Sequence, residues 1–127
     1  MSQLPAVRYD AVSHLLGRVG LLAFAEGIDE AAEQIFAYLR RVLADPSALE
    51  VARSIVMLDM GRPLDAIRIL RDEVLSVDMS HGAANLVCGM AIAMADLPDS
   101  RQYFETVLAA SLDPTLRTLA LAELTAA

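Results

Sequence analysis

A unit of 34 residues recurs three times along this chain and constrains its fold more than any other feature. Gly27, Gly61 and Ala95 stand one period apart, as do Ala32, Ala66 and Ser100, and Phe36, Leu70 and Phe104. The dipeptides Asp45-Pro46 and Asp113-Pro114 lie two periods apart, at 68 residues. A fixed period of this size is the mark of stacked helix pairs, because one pair cannot bury its own apolar face and needs a neighbour to cover it. Arrays of this kind work through extended surfaces, so the period points to binding before it points to catalysis.

The helical reading follows from the residues between the breaks. The 127 residues are 56% apolar, contain three Tyr, three Phe and no Trp, and therefore build their core from Ala, Leu, Val, Ile and Met. These are helix formers, apart from the β-branched pair, and the small ones let helices approach closely. Residues 1–8 are expected to form a tail or cap. A single helical domain over 9–127 follows, with helix pairs at about 9–44, 47–78 and 81–112 and a capping helix at 115–125. Gly27 and Gly61 are placed to end the first helix of a pair. Asp29 can cap the second helix. Ser47 with Glu50 three residues on reads as a capping box. The last helix, with Leu116, Leu119, Ala120 and Leu124, is placed to cover the end of the array.

Charge and chemistry narrow the function. The net charge is −7, and all ten basic residues are Arg, scattered among acids, so no basic stripe exists for a nucleic acid. The longest run free of Asp, Glu, Lys and Arg is Met79 to Ala95, too short and too polar to span a bilayer. The start Met1-Ser2-Gln3-Leu4-Pro5 lacks the layout of a secretory signal. A single cysteine, Cys88, cannot form an internal disulfide and fits a reducing cytoplasm. No metal-ligand spacing, dinucleotide fingerprint or catalytic signature is present, so neither cofactor nor enzymatic activity is expected. His14 and His81 lie too far apart for shared ligation and read as solvated or capping residues.

These residues resemble the tetratricopeptide repeat, a 34-residue helix-turn-helix family with small residues at repeat positions 8 and 20 and a large apolar one at 24. Gly20, Ser54 and Cys88 fill the first, Ala32, Ala66 and Ser100 the second, and Phe36, Leu70 and Phe104 the third. The family's aromatic residues on the first helix are replaced: positions 4 and 11 hold Leu16, Glu50, Ala84 and Ala23, Met57, Ala91. No set of basic residues matches the family's peptide-carboxylate clamp. The fold class implied is all-α, a tetratricopeptide-like solenoid of three antiparallel helix pairs plus a C-terminal capping helix.

In overall layout the chain is similar to the small type III secretion chaperones of the YscG and PscG class and the related Hrp-system proteins. That resemblance implies a cytoplasmic chaperone that holds a self-polymerising secreted subunit (a needle or pilus protein) as a monomer, with a small co-chaperone as a further partner. In that class the client's amphipathic helix lies in the concave groove. Repeat positions 5, 9 and 12 would line it: Gly17, Leu21 and Phe24, then Val51, Ile55 and Leu58, then Asn85, Gly89 and Ile92, with Asp59 beside them. An apolar strip of this size takes a partner helix, or else the array closes on itself or forms a homodimer. Met57, Met60, Met79, Met90 and Met94 either line that strip or fill the core.

Overall fold

The computed structural model describes residues 47–126 continuously, together with Gly20, Glu26, Gly27, Glu30, residues 32–35 and Ala37. The first expected pair, 9–44, therefore falls largely outside the described residues. By internal packing the chain divides into two compact units, Met1–Leu49 and Glu50–Ala127. In the first, Gly27 has a left-handed backbone, φ +82°, and Ala32 is fully buried within helical backbone.

All regular structure among the described residues is helical. We number the helices α1 (Ser47–Asp59), α2 (Pro63–Ile69, continued by a π segment at Leu70–Leu75), α3 (Gly82–Met94), α4 (Ser100–Ala110) and α5 (Pro114–Thr125). This is an all-helical bundle, consistent with a helical-repeat arrangement. No described helix is long and apolar enough to cross a membrane.

Local chemistry explains each break. α1 ends in a paired motif: Gly61 N–H donates to the Leu58 carbonyl at 3.0 Å and Arg62 N–H to the Met57 carbonyl at 2.8 Å. Gly61 supplies the left-handed φ of +73° that this closure requires. Pro63 then opens α2, where its missing N–H costs nothing. At the head of α3, His81 Nδ1 accepts from Ala84 N–H at 3.2 Å, a cap, which is one of the two roles open to this histidine. Asp113 caps α5 by accepting from Thr115 N–H at 2.8 Å and Leu116 N–H at 3.3 Å. The Glu50 carboxylate goes to Arg53 Nη1 at 2.9 Å, a use the capping-box reading of Glu50 did not anticipate.

The end of α3 repeats the end of α1 with a shift. Asp96 N–H donates to the Ala93 carbonyl at 3.1 Å and Leu97 N–H to the Ile92 carbonyl at 3.0 Å, and the left-handed residue is Asp96, φ +55°. The equivalent of Gly61 is thus Asp96, 35 residues on, and not Ala95. Between the two turns lies the π segment, where Ser76 N–H reaches back five residues to the Arg71 carbonyl at 3.1 Å. A π turn closes one residue later than an α turn, so this segment takes up one residue more than an unbroken α-helix would. That accounts for the shift. The two left-handed sites should respond oppositely to mutation. A Cβ added at Gly61 would meet no heavy atom within 4 Å, so Gly61→Ala carries only the conformational cost, about 1 kcal/mol in chemical denaturation. Asp96→Gly should instead raise stability, by up to about 1 kcal/mol, as it relieves a non-glycine left-handed residue.

One core cluster of the second unit forms where α3, α4 and α5 meet. Leu86, Phe104, Val107 and Ala120 are buried together, with Met90, Leu108, Leu116 and Leu124 packed against them. Leu116, Ala120 and Leu124 therefore make the covering face of α5, whereas Leu119 is 47% exposed and turned away. Arg117 adds a polar tie. Its Nη1 donates to the carbonyls of Leu108 and Ser111, at the C-terminal end of α4, where a cation also meets the negative end of the helix dipole.

Candidate functional site

The residues expected to line a groove divide into three sets. Gly17, Leu21 and Phe24 lie outside the described residues. Ile55 is 51% exposed, Leu58 is half-buried and Asp59 is exposed, all on the outer part of α1. Val51, Asn85, Gly89 and Ile92 are buried, and of these only Asn85 borders an open space, a cleft beside Arg71.

The buried set has identifiable causes. Asn85 turns its amide into the loop before α3, donating to the Met79 carbonyl at 3.0 Å and the His81 carbonyl at 2.9 Å. Gly89 lies against the Phe104 ring: a Cβ there would stand 2.7 Å from Cε1 and 2.9 Å from Cζ. Ile92 is fully enclosed. The one-residue shift explains the misplacement. Counted at 35, the partners of Val51, Ile55 and Leu58 are Leu86, Met90 and Ala93. Their exposure runs in parallel: Val51 and Leu86 are buried, and the other four are accessible to solvent. Likewise the fully buried Ser54 answers to Gly89, and the buried Met57 to Ile92. The methionines separate in the same way. Met57 belongs to the interior, Met90 is half-buried against the core, and Met60, Met79 and Met94 are exposed.

A buried ion pair sits on the opposite side of α1. The Arg53 and Glu50 side chains are only 7% and 4% exposed, and Arg53 Nη1 also approaches Glu73 Oε2 of the π segment at 3.9 Å. This is structural chemistry: it links α1 to the helix that follows.

A second feature is not anticipated by the sequence pattern. Arg71 on the π segment and Tyr103 on α4 are 32 residues apart, yet Arg71 Nε donates to Tyr103 Oη at 3.1 Å. The guanidinium carbon stands 5.7 Å from the centre of the tyrosine ring. They border an open cleft of about 530 Å³, with Gln102 and Thr106 from α4, the polar Ser76 and Asn85, and the apolar Leu75 and Met79 completing the wall. The hydrogen bond to Tyr103 pushes the Arg71 pKa further up. Cys88, buried and unbonded to any other cysteine, belongs to the same neighbourhood. Burial pushes its thiol pKa up, and the nearby Arg71 charge only partly offsets this. The pairing of Arg71 with Tyr103 has no counterpart in the repeat pattern read from the sequence.

Among the described residues no group of three or more His, Cys, Asp or Glu side chains is arranged to hold a metal ion. In comparison with known proteins, no family model matches the chain, and neither does any curated protein or solved structure.

Proposed function

We propose that this chain is a non-enzymatic protein-binding module of tetratricopeptide type. On this reading it acts in the cytoplasm as a secretion chaperone that holds an amphipathic helix of a self-polymerising subunit. The observation that carries the proposal is the recurrence of accessible apolar residues at matching register in successive units: Ile55 and Leu58 on α1, Met90 and Ala93 on α3. One exposed isoleucine is ordinary on a protein surface. A repeated exposed position is how a repeat protein builds an extended face. The near-identical turn chemistry at Gly61 and Asp96 supports a repeated unit of the tetratricopeptide kind.

The physical mechanism is competition. A client helix that lays its apolar face on α1 and α3 gains roughly 25 cal/mol per Å² of apolar surface removed from water. That same face is the one a filament subunit hides in its polymer, so binding shifts the client toward monomer by mass action. Ile55→Glu or Leu58→Glu places a carboxylate on the proposed face while leaving the buried side of α1 untouched. Co-purification of the client from the native host should fall at least about tenfold, with the helical circular dichroism unchanged. Retention of the client by both variants would exclude the face. A homodimer built through the same residues is the second reading. Under it the wild type shows concentration-dependent mass by light scattering, and both variants are monomeric.

A further inference from the structure

The cleft beside Arg71 carries an unneutralised cation on a protein of net charge −7. Arg53 pairs with Glu50 and Glu73, Arg62 and Arg68 with Asp65, and Arg101 with Glu105. Arg117 is spent on the carbonyls at the end of α4. Arg71 differs: among the described residues it has no carboxylate partner, and its side-chain hydrogen bond runs to a neutral phenol. Neighbouring acids are directed elsewhere. Glu73 faces Arg53, and Asp78 accepts from Ser80 N–H and Oγ at 3.1 and 2.9 Å.

Tyr103 holds the fork of Arg71 by Nε, which leaves the two terminal amino groups available to a ligand. The phenol is a neutral group that stands beside the Cys88 thiol, and Gln102, Asn85 and Ser76 add amides and a hydroxyl on the same wall. One fixed cation with neutral donors suits a singly charged planar anion. A dianionic phosphate would call for further positive charge, which this cleft lacks. The other part of the wall is apolar, Leu75 with Met79. Met79 is 81% exposed and Val77 beside it 86%, so the apolar surface continues out of the cleft. We propose that the Arg71–Tyr103 cleft receives a carboxylate carried on an apolar segment of a partner protein. This inference rests on the protein-binding reading only for the source of the carboxylate, and it uses a site separate from the accessible residues of α1 and α3.

The test is a titration of the full-length ¹⁵N-labelled chain with three peptides, followed by nuclear magnetic resonance at Arg71 Nε–H and the Gln102 and Tyr103 amides. The probes are acetyl-Leu-Ala-Leu with a free C-terminus, its C-terminal amide, and the amide of acetyl-Leu-Asp-Leu. At least one carboxylate peptide should give saturable shifts at these positions and bind about tenfold or more tightly than the neutral amide. Which one does so tells a chain terminus from an acidic side chain. Arg71→Gln and, separately, Gln102→Glu should each weaken that binding by a similar factor while the rest of the spectrum is unchanged. Equal binding of acid and amide, no saturable shift with any probe, or full binding by Arg71→Gln would overturn the proposal. Ile55→Glu should leave the titration unaltered, so a failure here is distinct from a failure of the helix-binding face.

Discussion

Gly89→Val should remove much of this protein's stability margin. The position is buried in the middle of α3, and a Cβ alone would come within 2.7 Å of the Phe104 ring, closer than packed carbons approach. Phe104 has nowhere easy to go, because it is 3% exposed and part of the cluster with Leu86, Val107 and Ala120. In an open helix, replacing glycine by a larger residue gains a few tenths of a kcal/mol up to about 1 kcal/mol. Here overpacking opposes that gain, and with two further methyl groups the net loss is expected to reach about 3 kcal/mol. Equilibrium denaturation in urea measures it. A second-site change tests the cause: Gly89→Ala should also destabilise, and adding Phe104→Leu should recover part of the loss, giving a non-additive pair. Simple additivity of those two changes would mean that the contact between α3 and α4 is not what sets the size of residue 89.

The second large effect is expected at Arg53→Met. This change leaves the Glu50 carboxylate, 4% exposed, without the guanidinium that now stands 2.9 Å away. Removing one member of a buried pair costs about 3–5 kcal/mol in general, because a charge held away from water loses that member's compensation. The pair itself contributes far less, since removing both charges together avoids that penalty. Arg53→Met with Glu50→Leu should therefore be much more stable than Arg53→Met alone, and close to the wild type in the same urea denaturation. A double variant no better than the single one would show that the arginine acts through packing of its stem.

Much of the local structure is legible in the residues, and the failures have one main physical source. Gly61 acts through short-range backbone chemistry, so its turn is visible in the chain, and capping is one of the two roles open to His81; that Pro63 opens a helix and Asp113 caps one is not read from it. The small residues Ser54, Ala66 and Cys88 are fully buried, whereas Ser100, the expected counterpart of Ala66, is half-buried. The candidate groove depends on something less local. Counting in steps of 34 assigns residues to it, and one extra residue taken up in the π segment moves the true equivalents by one position. On a helix a step of one residue rotates a side chain by about 100°, enough to carry Gly89 and Ile92 from an expected open face into the core. No periodicity in the sequence announces a π turn.

Whether the accessible side of α1 and α3 is a binding face can be settled by placing a photoactivatable phenylalanine analogue at residue 55 or 90 in the native host. A third variant carrying it at the exposed Ala109 of α4 serves as the control. The predicted result is that irradiation links positions 55 and 90 to the same single partner, at the partner's own apolar helix face, and that position 109 links to nothing specific. Equal labelling from all three positions, or different partners at 55 and 90, would contradict it.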